Sequence, residues 1–418
     1  MKGFHSPFFV LLAQSVGLLV LSCGSNTVKT NQGVDVDVVY GAQGQACGRG
    51  LTVVQTDYVS TNVALLEFDG SPLSPSLIHS GASDVQLNAP IGGDVVFPRA
   101  GVDNQVVLID RYPASVLTFL DVPSGQVAGQ INVRSGFDAN PRDYLQLDEH
   151  RALVSRFETN SHPGKEPFDQ GDDVLVIDVD ELSIVGRIDL GGTPKERARP
   201  STLLRYEDQI LVALSHMDAA FQSAADAELV ALDAKTLEEE YRIILPGMEV
   251  CEGLSLSPNK ETVAVSCSGI VMNAEQAEPS GSGLVLLREN KENGELEEVY
   301  RQDAAAWGLG PLGFSSGFLS DDQLLVTSFG ALDGSDAGRP DRLVMYEIKS
   351  SEHRVLLEGA AFSLGSVACT SECGRCYVTD AQEEQLHLLQ LDDRGELRTD
   401  QVGVDTDVHL PPRHVGFF

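Results

Sequence analysis

The chain has 418 residues, with 62 acidic side chains against 29 basic ones, and a formal net charge of −33. Such a polyanion repels phosphate backbones, which argues against a nucleic-acid partner. A 42% hydrophobic content is enough for a packed core, which excludes a disordered acidic chain.

The N-terminus carries Lys2 and then an apolar run over residues 8–21, interrupted by Gln14. The run falls short of the ~20 apolar residues a membrane-spanning helix needs and fits the core of an export signal. It ends in Val20-Leu21-Ser22-Cys23, which resembles the lipobox of bacterial lipoproteins. The resemblance implies cleavage before Cys23, lipid on its sulfur and an acylated new N-terminus. Each buried methylene of those chains contributes ~0.8 kcal/mol, so the anchor would hold. Gly24 follows instead of Asp, which in Gram-negative lipoproteins implies transfer to the outer membrane, on its periplasmic or its outer side. Residues 1–22 are thus read as signal peptide, 23–46 as a lipidated flexible tether and 47–418 as the folded domain.

That domain repeats itself about every 55 residues, the mark of an array. One recurring element is a buried strand ending in a charged turn. It reads VALLEFD at 63–69, VLTFLD at 116–121, VLVIDVD at 174–180 and ELVALD at 228–233. It continues as GLVLLR at 283–288, RLVMYE at 342–347 and LHLLQLD at 386–392. A second element precedes it: IGGDVVF from Ile91, PRDYLQL from Pro141, PSTLLRY from Pro200 and CEGLSLS from Cys251. It recurs as SSGFLSD from Ser315, LGSVACT from Leu364 and PRHVGFF from Pro412. The units read as four strands, a to d, in two hairpins.

The first unit, starting at LTVVQTDY from Leu51, lacks strand a, and the last a-type strand, 412–418, is followed by no strand b. A closed ring resolves both deficits and leaves no open edge. The expected fold is all-β: a seven-bladed β-propeller whose C-terminal strand completes the first blade.

CYVTD at 376–380 resembles the YVTN repeat of lactonase-like seven-bladed propellers, and the rhythm of strand, Asp, turn and strand is similar to theirs. The resemblance implies the same ring and offers a lactonase-like hydrolytic activity as an alternative to a binding or scaffold role.

Strands alternate in direction, so the b–c and d–a connections share one face. The b–c connections at 158–172, 216–227, 269–282 and 330–341 are long, and loops on a rigid scaffold are where binding sits. The inner strands open on that face. Their second and third positions are Arg142, Ser201, Glu252, Ser316 and Arg413, then Asp143, Thr202, Ser366 and His414. Their fourth position turns apolar, with Tyr144, Leu203, Leu254, Phe318, Val367 and Val415. A polar mouth over an apolar throat is expected, with Arg142, Asp143, Glu252, Arg413, His414 and the neighbouring Trp307 as candidate contacts for an envelope protein or small ligand.

Setting Cys23 aside leaves six cysteines, an even number suited to an oxidising compartment. Cys251 and Cys267 flank one hairpin turn symmetrically and are expected to pair. Cys47, Cys369, Cys373 and Cys376 allow three connectivities; in one, Cys369 and Cys376 bridge their hairpin while Cys373 reaches Cys47. The histidines show no metal-ligand spacing, and no nucleophile elbow or phosphate loop occurs. Asp169, Asp172 and Asp173 cluster in one loop and Asp333, Asp336 and Asp341 in another. Ca²⁺ would suit such oxygen donors, yet neither cluster matches a full ion-binding motif, so no cofactor, catalytic residue or metal ligand is assigned. The chain reads as an outer-membrane lipoprotein with a propeller binding module, touching membrane through its lipid alone. Labelled palmitate should be incorporated by the chain and not by Cys23→Ala; label retained by the variant would refute the anchor.

Overall fold

The computed structural model describes residues 33–41, 44–82, 85, 87–191, 197–271, 280–330, 339–370, 373–392, 394–406 and 408–418. The leader, Cys23, Asp333 and Asp336 lie outside the described residues. Seven four-stranded antiparallel sheets form the ring, with a short hairpin of Val39–Tyr40 and Ala46–Gly48 ahead of it.

Blade 2 runs through Val95–Val96, Gln105–Asp110, Val116–Asp121 and Gln126–Asn132, and blade 3 through Pro141–Gln146, Arg151–Thr159, Gly171–Asp178 and Ser183–Asp189. Blade 4 has Pro200–Tyr206, Gln209–Leu214, Ala227–Asp233 and Glu239–Leu245; blade 5 has Gly253–Leu256, Val263–Ser268, Ser282–Glu289 and Leu296–Asp303. Blade 6 has Leu312–Ser320, Gln323–Ser328, Asp341–Glu347 and Glu352–Gly359; blade 7 has Leu364–Thr370, Arg375–Asp380, Gln385–Leu391 and Leu397–Gly403.

Blade 1 combines Leu51–Thr56, Thr61–Leu66 and Pro72–His79 with Pro412–Phe417 as its innermost strand. Val53 pairs with Val415 and Leu51 with Phe417, so the two incomplete ends of the repeat finish one sheet. Around this junction, Tyr377 Oη of blade 7 donates to Phe68 O of blade 1 at 2.7 Å, and the Phe68, Tyr377 and Phe417 rings pack together. Cys47 is disulfide-bonded to Cys373, the bond spanning a separation of 326 residues. The other two bonds, Cys251–Cys267 and Cys369–Cys376, cross the a–b hairpins of blades 5 and 7.

The chemistry of each strand follows its place in the ring. Strands b and c are covered on both faces by neighbouring blades, so they read as continuous apolar runs such as Ile210–Leu214 and Leu284–Leu287, all buried. The outer strands face solvent and alternate, as in Glu239–Leu245. In blades 2 to 6 a register shift between strands c and d adds twist at that exposed edge. Near the axis the inner strands crowd together. A Cβ on Gly253 would meet Ser266 Oγ at 1.9 Å and one on Gly313 would meet Thr327 Oγ1 at 2.0 Å, so the strand-b hydroxyls occupy the space those glycines leave.

The inner strands also break register where they start: between Pro141 and Tyr144, Pro200 and Leu203, Leu312 and Ser316, and Leu364 and Val367. The closing strand does the same at Arg413, between the partners of Val54 and Gln55. These bulges release residues from the ladder and turn several of them, Arg142, Ser201, Thr202, Ser366 and Arg413, toward the axis. Removing residues 412–418 strips blade 1 of its inner strand and exposes the edge of Leu51–Thr56. Thermal unfolding should then begin at a much lower temperature with aggregation; an unchanged melting temperature would show that the pairing does not hold the ring.

Candidate functional site

The starts of the inner strands open onto a central cavity of about 990 Å³. Arg142, Ser201, Thr202, Glu252, Ser316, Ser366, Arg413 and His414 line it, as expected from their column in the repeat. Beneath them lie Leu203, Leu254, Phe318, Val367 and Val415. Tyr144 does not take part; it is 1% exposed and packs edge-on against Phe119 inside the blade 2–3 interface.

Hydroxyls at the mouth stitch neighbouring blades. Ser315 Oγ donates to Val367 O at 3.0 Å and accepts from Val367 N at 2.8 Å, while Ser366 Oγ accepts from Val415 N at 2.9 Å. These bonds satisfy the backbone groups that each bulge frees. Two expected contacts lie elsewhere. Asp143 is 2% exposed, behind the wall. Trp307 packs on Tyr346 at 5.5 Å and His353 at 4.9 Å, which places it against the outer strands of blade 6 and away from the cavity.

The structure adds residues that the repeat pattern hides. The inner strand of blade 2 is two residues long, Val95–Val96, because the following chain turns into the channel. Arg99, carried on that excursion, reaches across the ring: its Nη2 donates to Phe314 O of blade 6 and, at 3.4 Å, to Glu252 O at the start of blade 5. Asp143 anchors the excursion by accepting from Arg99 N at 3.1 Å, and also accepts from Leu203 N at 2.9 Å. Arg111 lines the cavity too, its Nε donating to Asp94 Oδ1 at 3.0 Å. Arg142 Nη1 lies 4.0 Å from Glu252 Oε2, and its guanidinium sits 4.3 Å over the Phe157 ring. Behind it Arg199, fully buried, is stacked between Phe157 and Phe221 at 4.8 and 4.2 Å.

The electrostatics are lopsided. Among the described residues the lining holds five arginines (Arg99, Arg111, Arg142, Arg205, Arg413) against one carboxylate, Glu252. Enclosure works against the charge of Arg99 and Arg142, with Asp143 and Glu252 sustaining the first and chiefly Glu252 the second. His414 is pushed down to about 3 by burial and then by the charges of Arg111, Arg99 and Arg413, so it stands as a neutral imidazole. Burial raises the Asp143 carboxyl to about 6 against three backbone N–H donors and the Arg99 charge.

The described acidic residues of those loops are committed to structure. Asp169 accepts from the backbone N–H groups of Gly164, Lys165 and Glu166, and Asp172 from those of Ala198 and Arg199 in the next blade. Asp173 pairs with Arg156 and Arg187, and Asp341 binds Gly330 N and Leu364 N. Among the described residues no group of three or more such side chains is placed to hold a metal ion.

No family model and no curated protein sequence matches the chain. Solved structures do. The periplasmic gluconolactonase of Pseudomonas aeruginosa superposes with a TM-score of 0.55 at 12% identity, over 88% of this chain and 98% of that one. A hypothetical selenium-binding protein from Sulfolobus tokodaii gives 0.58 at 10% identity, over 88% and 93%. The β-propeller domain of Cps50 (Swd1) from Myceliophteria thermophila gives 0.53 at 12% identity, over 89% and 98%. The likeness is one of fold. It includes lactonase-like propellers, and it leaves the chemistry of the cavity to be read from its own side chains.

Asp143 makes a pH test available. Its folded pKa lies above the ordinary value, so the cost of ionising it is absent below about pH 4 and complete above about pH 6, worth roughly 3 kcal/mol. Denaturant titrations should show the stability difference between the chain and Asp143→Asn moving by about that amount in the variant's favour from about pH 4 to about pH 7.5. A constant difference would mean that the carboxyl is not perturbed.

Proposed function

We propose that the chain is an envelope lipoprotein whose propeller binds an anionic small molecule in its central cavity. One observation carries the reading: the sign of the charge reverses inside the ring. A chain of net charge −33 lines its central cavity, among the described residues, with five arginines and a single glutamate. Arginine stays charged at any pH a protein meets, and low-dielectric walls focus that charge on whatever enters. Carbonyl groups hold Arg99 and Arg413 in place, so their cost of ordering is met before a ligand arrives. The neutral His414 adds a hydrogen-bonding group without adding charge. Met217 and Phe221, from the long connection of blade 4, line the cavity wall. The lipobox at Cys23 and three disulfides suit an exported, oxidising location.

Hydrolysis of a lactone at the same place is the second reading. Its support is Glu252, a carboxylate 8% exposed beside Arg142 and the one acidic group on the cavity wall among the described residues. It could act as a base toward a bound water.

Calorimetric titration of the full chain with pyrophosphate and with citrate separates the possibilities. Arg142→Gln should weaken binding about tenfold or more, whereas Glu252→Gln, which removes the opposing charge, should strengthen it. Binding indifferent to both substitutions would overturn the anion site. Lactone turnover that Glu252→Gln abolishes would assign catalysis.

A further inference from the structure

Two of the cavity arginines are held in the same unusual way. Arg99 Nη2 donates to the carbonyl oxygen of Phe314, and Arg413 Nη1 donates to that of Phe362 at 2.6 Å. Among the described residues neither guanidinium hydrogen-bonds a carboxylate, and Arg413 Nε is buried with no partner. A carbonyl orients a guanidinium without neutralising it; Asp143 and Glu252 act on Arg99 through space and leave its guanidinium N–H groups free of any carboxylate bond.

The residues that supply these carbonyls also form the two ends of an aromatic row. Phe314 and Phe329 lie 5.3 Å apart with their planes at 60°, and Phe329 and Phe362 lie 5.5 Å apart at 15°. All three line the cavity, and the end members are 40% and 37% exposed, large apolar side chains left open to it. Tyr58, 58% exposed, continues the surface beneath Arg413 at 5.5 Å. Apolar rings facing a wet cavity gain free energy when a planar apolar group covers them, and flanking charges fix the orientation of what covers them. Two guanidinium groups that bond no carboxylate, at the ends of one aromatic shelf, ask for two anionic groups at the ends of one flat body.

The geometry points to an aromatic dianion as the ligand, its ring laid on Phe314, Phe329 and Phe362 and its two anionic groups on Arg99 and Arg413. This rests on the anion-binding reading and narrows it. Arg142, across the mouth and balanced by Glu252, contributes to the general attraction, whereas the shelf selects the body. Aliphatic dianions satisfy the charges and leave the rings bare. Aromatic monoanions cover the rings and leave one guanidinium unmatched.

The test titrates the full chain with terephthalate, succinate and benzoate, and with inorganic phosphate as a compact anion. Terephthalate should bind about tenfold or more tightly than each of the others. Phe329→Leu should erase its advantage over succinate while leaving succinate binding unchanged; Phe314→Leu provides the same readout should the first variant fold poorly by circular dichroism. Arg413→Gln should erase its advantage over benzoate. Succinate or phosphate binding as tightly as terephthalate, or an aromatic preference untouched by both phenylalanine variants, overturns the aromatic assignment and leaves the anion site standing. Failure of all four probes to bind overturns both.

Discussion

Everything in this molecule hangs on one strand pairing, that of Pro412–Phe417 with Leu51–Thr56. Each blade buries its apolar faces against its two neighbours, so a blade without a neighbour has a bare face, and a ring with a gap has two. Closing the gap with the far end of the chain abolishes both at once. The closing strand does more than hold. It carries Arg413, at its bulge, and His414 to the axis, so the bonds that complete the fold also complete the cavity wall. Stability and site composition are thus coupled through one strand of six residues.

The second constraint is electrostatic. Most of the acid lies in turns and outer strands, where carboxylates accept backbone N–H bonds or face water, as Asp57, Asp148 and Asp233 do. The interior of the ring is where arginine accumulates. Arg156 and Arg199, both fully buried, are paired with acid: Arg156 with Asp173 and Arg199 with Glu158. Those of the cavity differ among themselves: Arg111 pairs with Asp94 and Arg142 lies 4.0 Å from Glu252, while Arg99 and Arg413 donate to carbonyls.

The architecture was legible because it repeats. A missing strand at one end and a surplus strand at the other are visible in the letters, and strand-a columns identified Arg142, Glu252, Arg413 and His414 as wall residues. What the letters concealed came from departures from the repeat. Arg99 lies beyond an inner strand cut to two residues, a truncation that IGGDVVF does not announce. Asp143 occupies a column position yet faces backward, because the excursion of blade 2 needed an acceptor for Arg99 N. Phe314, Phe329 and Phe362 come from three different stretches of chain, whose convergence depends on how blades 6 and 7 meet. Trp307 was placed by its neighbourhood in sequence, and the turn that carries it faces the outer strands instead.

The closing disulfide and the closing strand also impose an order in time. The strands that begin the first blade are translated well before their partner, which follows after six more blades. At ordinary rates of synthesis that interval is on the order of tens of seconds. Throughout it, the edge of Leu51–Thr56 has no inner strand to cover it, and Cys47 has no Cys373 to meet. The blades between can pair within themselves as they emerge, since their hairpins are local, but the ring can shut only as a last and long-range step. A nascent chain of this kind depends on whatever shields one strand edge until Pro412–Phe417 arrive.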